Sequence, residues 1–238
     1  MILDTHLHTK EHSPDSFLPV RDAVERAREL GLGGLCVTDH DSWDILPEAE
    51  ALRRECHFPL FVGIEILTAE GDFVVFGVGP FDYEPRRLRA ADLMERVRES
   101  GGAAVAAHPY RDNGRGAGKL IKTLPGLTGV ECFNGSTKHE ANLQALRDAR
   151  ARGLACLGAS DAHLVERVGR FATRFDGEPR NERDLIQLIR AGACEPVALG
   201  DAGGQGVPLS SNMGGTAYVL AETWTLSQIS GEAQHNPY

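Results

Sequence analysis

The stretch DTHLHTKEHSPDS, residues 4–16, is rich in side chains that bind metals. It holds three histidines (His6, His8 and His12) and two aspartates, in a chain with only nine histidines. Side chains of a strand alternate between its two faces, so His6 and His8 point to the same side. Two imidazoles arranged in this way can bind one divalent ion. An isolated H-x-H is more often an ordinary polar strand or loop, so the interpretation depends on partners elsewhere.

Candidate partners recur where other apolar segments end. They are His40 in CVTDH, Glu65 in FVGIEI, His108 in AVAAHP, Glu131 and Asn134 in VECFN, and Asp161 and His163 in GASDAH. Asp161 and His163 repeat the spacing of the first pair. A lone carboxylate at Glu65, inside an apolar strand, would be costly unless it bridged two cations. The joint occurrence of these residues predicts a metal site.

The elements that must position these residues alternate between strand-like and helix-like patterns. Predicted strands are Ile2–His8, Gly34–Thr38, Leu60–Ile66, Phe73–Val78, Ala103–Ala107, Gly129–Phe133 and Ala155–Ala159. Predicted helices are 19–31, 47–56, 85–100, 140–152 and 181–191. This order predicts an α/β fold of mainly parallel strands with helices outside, and barrels of this class gather their sites at the carboxyl ends of the strands. Segments 60–66 and 73–78 are close enough in the sequence to form an antiparallel hairpin instead of a parallel pair.

Composition limits the class of protein. The chain has 238 residues and a net charge of −9, which disfavours binding to extended nucleic acid. No apolar run is long enough for a membrane span, and the N-terminus lacks the pattern of a secretory signal. Five scattered cysteines indicate reduced thiols, so we expect a cytoplasmic protein. We expect a barrel domain at 1–199 and a Gly/Ser-rich linker and tail at 200–238, with no prediction of oligomeric state.

The ordered motifs DTHLHTKEHSPDS, VTDHD, GIEI, AAHPYR, VECFNG and GASDAH resemble those of the PHP family, named for polymerase and histidinol phosphatase. The resemblance extends from about residue 2 to residue 175. It implies a distorted (β/α)7 TIM-like barrel with two or three divalent metal ions at the C-terminal face of the strands. It also implies hydrolysis of phosphate esters.

The resemblance also implies a set of ligands. His6, His8, Glu65 and Asp161 match the ligands of one metal, Glu65 and His108 those of a second, and Asp15, His40 and His163 those of a third. Many members supply a further His or Cys from the sixth strand, whereas this chain has Glu131, Cys132 and Asn134 there. Glu131 and Cys132 alternate onto opposite faces, and we favour Glu131 as the ligand. Asp4 fits the first motif and is expected to orient a histidine.

We therefore expect a metal-dependent phosphoesterase that hydrolyses a phosphomonoester through a metal-bound hydroxide. The ligand set suits Mn, Fe or Zn. Asp161, His163 and Arg111 are the candidate catalytic residues. Arg111, Arg115 and Lys119, in the basic loop after His108, and Arg170 are candidate contacts for a substrate phosphate.

Other functions remain open from the sequence. They are a phosphodiesterase or nuclease acting on short oligonucleotides, a non-catalytic metal-bound PHP module, and an amidohydrolase-like enzyme on a related barrel. The partner is expected to be a small phosphorylated metabolite or nucleotide. The sequence leaves the choice between monoester and diester open.

Overall fold

A computed structural model of the chain describes residues 1–199 and 206–209. Its strands are β1 (Ile2–Leu7), β2 (Gly34–Val37), β3 (Leu60–Val62), β4 (Ile64–Leu67), β5 (Asp72–Phe76), β6 (Ala103–Ala106), β7 (Gly129–Asn134), β8 (Ala155–Ala159), β9 (Ala172–Phe175), β10 (Cys194–Ala198) and β11 (Val207–Pro208). Its α-helices are α1 (Val20–Glu29), α2 (Leu46–Cys56), α3 (Ala90–Ser100), α4 (His139–Arg152) and α5 (Glu182–Arg190). The predicted linker and tail at 200–238 lie outside the described residues except for 206–209, so that domain boundary stays a prediction.

The strands form two mixed sheets. One has the order β11-β10-β9-β1-β2-β3 and the other β4-β5-β6-β7-β8. Strands β1 to β3 are parallel, as are β6 to β8, whereas β5 is antiparallel to both of its neighbours. The predicted α/β class is confirmed. The prediction of mainly parallel strands is wrong, because 60–66 and 73–78 contain the hairpin and because β9 to β11 add antiparallel pairs.

The chain passes from the first sheet to the second at Gly63, which interrupts the single strand predicted for 60–66. A Cβ at Gly63 would lie 2.6 Å from Cε1 of Phe76 and 2.8 Å from the carbonyl oxygen of Val75. Only glycine therefore allows β4 to approach β5 this closely. The Gly63 amide still donates to Val37 O, at 2.9 Å, so the contact with the first sheet is kept.

Backbone hydrogen bonds join the two sheets at both junctions. On one side Asp161 N donates to His6 O, and His8 N donates to Ala162 O, each at 2.9 Å. On the other side Asp41 N donates to Glu65 O, at 2.9 Å. These bonds bring the carboxyl ends of β1, β2 and β8 together with Glu65 of β4 at one face.

Three apolar clusters hold the layers together. The helices α1 and α2 pack on the first sheet, and α3 and α4 pack on the second. A third cluster between the sheets includes Cys36, Phe61, Val74 and Val105, and α5 covers it with buried leucine and isoleucine side chains. The helices thus lie outside the strands, as predicted.

Most helix bounds agree with the prediction to within one or two residues, but α3 begins at Ala90 rather than at residue 85. Arg86 has a φ of +65°, and residues before Arg89 form turns. Among residues 1–199 and 206–209, none of the helices has the length and apolar character needed to cross a bilayer. All five cysteines are unpaired thiols.

Candidate metal centre

The first group of candidate ligands contains His6, His8 and Asp161. His6 Nε2 lies 2.9 Å from His8 Nε2 and 3.6 Å from Asp161 Oδ1, and His8 Nε2 lies 3.2 Å from the same oxygen. All three side chains are buried. Asp161 follows β8 with a φ of +53°, a left-handed conformation that aspartate tolerates better than most residues. One atom from each residue could therefore reach a shared ion.

Hydrogen bonds behind the histidines fix which ring nitrogen carries the proton. His6 Nδ1 lies 2.6 Å from Glu131 Oε1, a carboxylate oxygen that can only accept. Ser13 Oγ donates to Asp39 Oδ1 at 2.8 Å, so its oxygen can accept from His8 Nδ1 at 3.4 Å. Both Nε2 atoms face Asp161, and with Nδ1 as the donor each would present its lone pair to a bound cation. Such a set of acceptors suits a cation.

A second group lies at the mouth of the site. The rings of His40 and His163 lie with their centroids 4.0 Å and 4.4 Å from that of His8. Asp15 Oδ2 is 3.3 Å from His40 Nε2 and 3.6 Å from His163 Nε2. Burial raises the pKa of Asp15, but the two histidines outweigh it and the net shift is downward. The structure thus brings together the three residues that the resemblance assigns to a third metal.

Glu65 lies between the two groups of candidate ligands and His108. Its Oε1 is 2.9 Å from His108 Nε2 and 3.6 Å from His6 Nε2, and its Oε2 is 2.7 Å from His40 Nδ1. A carboxylate with both oxygens facing different histidines is suited to bridging two cations, as the sequence suggested.

Sequence reasoning missed Asp72. Its Oδ2 lies 3.8 Å from His108 Nε2, and with Glu65 and His108 it forms a third compact group of possible ligand atoms. The sequence feature that could have identified it is an aspartate directly before the apolar run FVVF. A hairpin of segments 60–66 and 73–78 places Asp72 in the connecting loop, away from the carboxyl ends of strands where ligands are expected.

The electrostatic balance of the cluster is strongly acidic. Burial lowers the pKa of His6, but the charges of Glu131, Glu65 and Asp161 outweigh it and raise the pKa well above its usual value. Burial raises the pKa of Asp161, but His6, His8 and Arg111 outweigh it and hold the pKa well below its usual range. His8, in contrast, has a pKa of about 3, chiefly because it is buried. The Asp161 carboxylate is therefore ionised at neutral pH, as a metal ligand must be.

The donor set fits divalent ions. It consists of imidazole nitrogens and carboxylate oxygens, which suit Mn, Fe or Zn. A further indication of a metal site is that Asp72 Oδ1 and His108 Nδ1 are buried with no hydrogen-bond partner among the described residues. Buried polar atoms are normally satisfied, so an unpartnered carboxylate oxygen here is consistent with a ligand role.

The basic residues near the centre differ in placement. Arg111 donates from Nε to Thr137 Oγ1 at 3.1 Å and from Nη2 to Asn134 Oδ1 and to Asp161 Oδ2. Arg115 donates from Nε to Asp72 Oδ2 at 2.6 Å. Lys119 is exposed on the 3-10 helix Gly118–Lys122. Arg170 is buried, and a Cβ at Gly135 would lie 3.2 Å from its Cδ.

The three candidates on the sixth predicted strand have different surroundings. Glu131 accepts from His6 Nδ1 with one oxygen and from the His108 amide and Asn134 Nδ2 with the other. Cys132 is buried in the apolar cluster under α3 and α4. Asn134 contacts Arg111 and Asp161. Glu131 as a ligand stays a prediction, although these contacts favour an orienting role.

Comparison with known protein families decides to which family the chain belongs. The model of the PHP domain matches residues 4–143, and a PHP-associated model matches residues 139–194. The chain belongs to the PHP family. An uncharacterized relative of this PHP chain, from Methanocaldococcus jannaschii, is 32% identical over 143 residues, which cover 56% of the chain and 82% of that relative. A DNA polymerase III of the PolC type from Lacticaseibacillus paracasei is 33% identical over 93 residues, only 6% of its length.

Solved structures share the fold of this PHP chain at low sequence identity. One, from Bifidobacterium adolescentis, was proposed to be a metal-dependent phosphoesterase; it is 17% identical, with a TM-score of 0.60, over 79% of this chain and 95% of its own. An amidohydrolase from Chromobacterium violaceum is 19% identical, with a TM-score of 0.59, over 84% and 99%. A lesion-specific endonuclease from Pyrococcus furiosus is 18% identical, with a TM-score of 0.57, over 95% and 66%.

Proposed function

We propose that the chain is a metal-dependent phosphoesterase that hydrolyses a small phosphomonoester. The observation that carries this proposal is the convergence of His6, His8 and Asp161 around shared ligand positions, with Glu65 linking them to His40 and His108. Membership of the PHP family supports it. We also propose that the two sheets correspond to the distorted seven-stranded barrel expected of that family.

Two or three Mn, Fe or Zn ions held by these residues would supply a Lewis acid for phosphate oxygens and lower the pKa of a coordinated water. The carboxylates of Glu65 and Asp161 contribute the charge that attracts the ions, since both have pKa values well below their usual range. Glu131 and Ser13 hold His6 and His8 in the tautomers that ligation requires.

Arg111 is the candidate contact for the phosphate. Its guanidinium is anchored by Asp161, Asn134 and Thr137, and its side chain is 19% exposed, so it faces the site while remaining reachable. An anchored guanidinium loses little freedom when it binds an oxyanion.

In a centre that holds two ions, where His163 ligates no metal, His163 is the candidate proton donor for the leaving group. Its side chain is 29% exposed, and its Nε2 lies 3.6 Å from Asp15 Oδ2 at the mouth of the site. A histidine there could give a proton to a departing alkoxide. Arg115 is tied to Asp72, and Arg170 is largely buried, so both are weaker candidates for the substrate than Arg111.

The test is a metal analysis followed by hydrolysis of p-nitrophenyl phosphate and bis-p-nitrophenyl phosphate with Mn²⁺. We expect turnover of the monoester, and a loss of at least about 100-fold in kcat/KM for His8→Ala and Asp161→Asn. His57→Asn is the matched control, because His57 is exposed at the end of α2 and Asn tolerates its left-handed backbone. Full turnover in His8→Ala would contradict the proposal, and turnover of the diester alone would assign a phosphodiesterase.

A further inference from the structure

The loop that follows His108 is folded back on itself and carries Arg111. Arg111 N donates to His108 O at 2.9 Å, and Gly118 N donates to Pro109 O at 2.7 Å. A Cβ at Gly116 would lie 2.5 Å from the same Pro109 oxygen, so the two arms of the loop are in close contact. A compact loop whose ends lie close together is packed largely by its own residues. Contacts at the ends of this loop therefore bear directly on the position of Arg111.

One face of α4 contacts both ends of this loop. The Asp148 carboxylate accepts a hydrogen bond from the Tyr110 hydroxyl at the start of the loop. The same carboxylate pairs with Lys122 Nζ, at 2.9 Å, where the loop ends in its 3-10 helix. Arg152 lies four residues after Asp148 and therefore on the same face of α4, and it donates to Ile121 O at 2.7 Å. The helix thus holds the beginning and the end of the loop together.

The same helix also supports the guanidinium of Arg111 from a second direction. Asn142 Oδ1 accepts from Asn134 N at 3.1 Å, and Asn142 Nδ2 donates to Asn134 O at 3.2 Å. Asn134 Oδ1 in turn accepts from Arg111 Nη2. Both the backbone around Arg111 and one acceptor of its side chain are therefore fixed relative to α4.

The contact between Tyr110 and Asp148 joins a neutral donor to a charged acceptor. Burial raises the pKa of Asp148, but the hydrogen bond from Tyr110 and the neighbouring Lys122 outweigh it, and the net shift is downward. Burial and Asp148 both raise the pKa of Tyr110, so its hydroxyl keeps its proton at neutral pH. The Asp148 side chain is only 15% exposed. Because hydrogen bonds to ionised acceptors are among the stronger ones in proteins, this contact is suited to fixing the start of the loop.

We propose that Tyr110 and Asp148 are positioning residues, which hold Arg111 where it receives the phosphate of the substrate. Neither is a candidate metal ligand, and Asp148 lies on a helix outside the strands. The inference rests on the proposed phosphoesterase function and adds to it the residues that present Arg111 to the centre. The competing explanation is that the contact between Tyr110 and Asp148 only stabilises the fold.

The experiment uses Tyr110→Phe, which removes only the hydroxyl, and Asp148→Ala, which also removes the partner of Lys122. In Mn²⁺-loaded protein, KM and kcat are measured for p-nitrophenyl phosphate, and the dissociation constant of inorganic phosphate is measured by calorimetric titration. A phosphate contact made equally before and during hydrolysis affects KM rather than kcat. We expect KM and the dissociation constant to rise by about 5- to 10-fold in Tyr110→Phe and by at least as much in Asp148→Ala, with kcat and metal content unchanged. The matched control is Glu140→Ala, which removes an exposed carboxylate from the same helix and should leave all these values unchanged.

A double variant tests whether Tyr110 acts through Arg111. In an Arg111→Gln background, Tyr110→Phe should change KM by less than about 2-fold, because the side chain that it positions is gone. The same rise in KM as in the wild-type background would overturn the inference, since Tyr110 would then act independently of Arg111.

Two further results would also overturn it. One is unchanged KM and phosphate affinity in Tyr110→Phe while the wild-type protein hydrolyses the monoester, which would refute this inference alone. The other is a fall in kcat, metal content and melting temperature at unchanged KM, which marks a purely structural contact. If Asp148→Ala does not fold, as judged by circular dichroism, Tyr110→Phe decides. Wild-type protein without turnover would refute the proposed function, and the titration with inorganic phosphate would then still test the role of Tyr110.

Discussion

His6, in β1, and His8, directly after it, turn Nε2 towards the centre because the residues behind them contact Nδ1. Glu131 Oε1 can accept a hydrogen bond from His6 Nδ1, and Ser13 Oγ, which donates to Asp39, can accept one from His8 Nδ1. Because side chains alternate along a strand, the sequence alone predicts that His6 and His8 lie on the same face. That Glu131 lies behind His6 cannot be predicted in this way, because it depends on the distance between β1 and β7.

The role of Glu131 leads to a prediction about metal affinity. The Glu131 carboxylate accepts hydrogen bonds from His6 Nδ1 and from the His108 amide. In Glu131→Gln, the NH₂ group must face one of these two donors, which then loses its hydrogen-bond acceptor. We expect metal affinity to fall by roughly 10- to 100-fold, as is usual when the group that orients a ligating histidine is changed. Isothermal titration with Mn²⁺ measures it.

Glu178→Gln is the control for this variant, since Glu178 is exposed and lies far from Glu131 in the sequence. Unchanged affinity in Glu131→Gln would show that its carboxylate does not orient His6. A complete loss of one ion, with the remaining affinity intact, would instead indicate that Glu131 is a direct ligand.

At the scale of elements, the apolar periodicity identified five helices and the positions of seven strand segments. It could not give strand direction, and direction is what brings Asp72 to the centre. It also missed β9 and β10, in which Thr173, Arg174 and Glu195 interrupt the apolar pattern. The sequence thus allows the candidate ligands at the carboxyl ends of parallel strands to be grouped, but not Asp72 at the amino end of the antiparallel strand.

The crossing at Gly63 gives a prediction about stability. Gly63→Ala would bring a methyl group within 2.8 Å of both the Phe76 ring and Val75 O, so β4 and β5 must separate. We expect the free energy of unfolding in urea to fall by about 1–3 kcal/mol, the usual cost of overpacking. Gly79→Ala is the control, because nothing lies within 4 Å of that position. Equal stability of the two variants would argue against close packing at the crossing.

At the scale of the whole molecule, the centre links parts of the chain that are distant in sequence. His6 lies in β1 and His8 directly follows it, whereas Asp161 and His163 follow β8. A divalent ion bound between them would connect both sheets. Because an ion that binds only the native state stabilises it by mass action, metal binding should be coupled to global stability.

This coupling can be measured by thermal unfolding. At a Mn²⁺ concentration of about 100 times the dissociation constant, stabilisation is about 2.7 kcal/mol, or roughly 5–10 °C for a chain of this size. A chelator should reverse the shift, and His8→Ala should abolish most of it, since His8 faces both Asp161 and Glu65. An equal shift in His8→Ala would place the stabilising ion elsewhere on the protein.

The hydrogen bonds between β1 and the segment after β8 also have a consequence for how the protein is made. During synthesis His6 and His8 leave the ribosome long before Asp161 does, so a nascent chain that ends ahead of β8 lacks an essential part of the centre. The closing contacts are of long range, and they form only after most of the chain has emerged. We therefore expect metal binding to be a late event that reports completion of the fold, and in pulse-labelled translation it should appear only once the segment that follows β8 has been released.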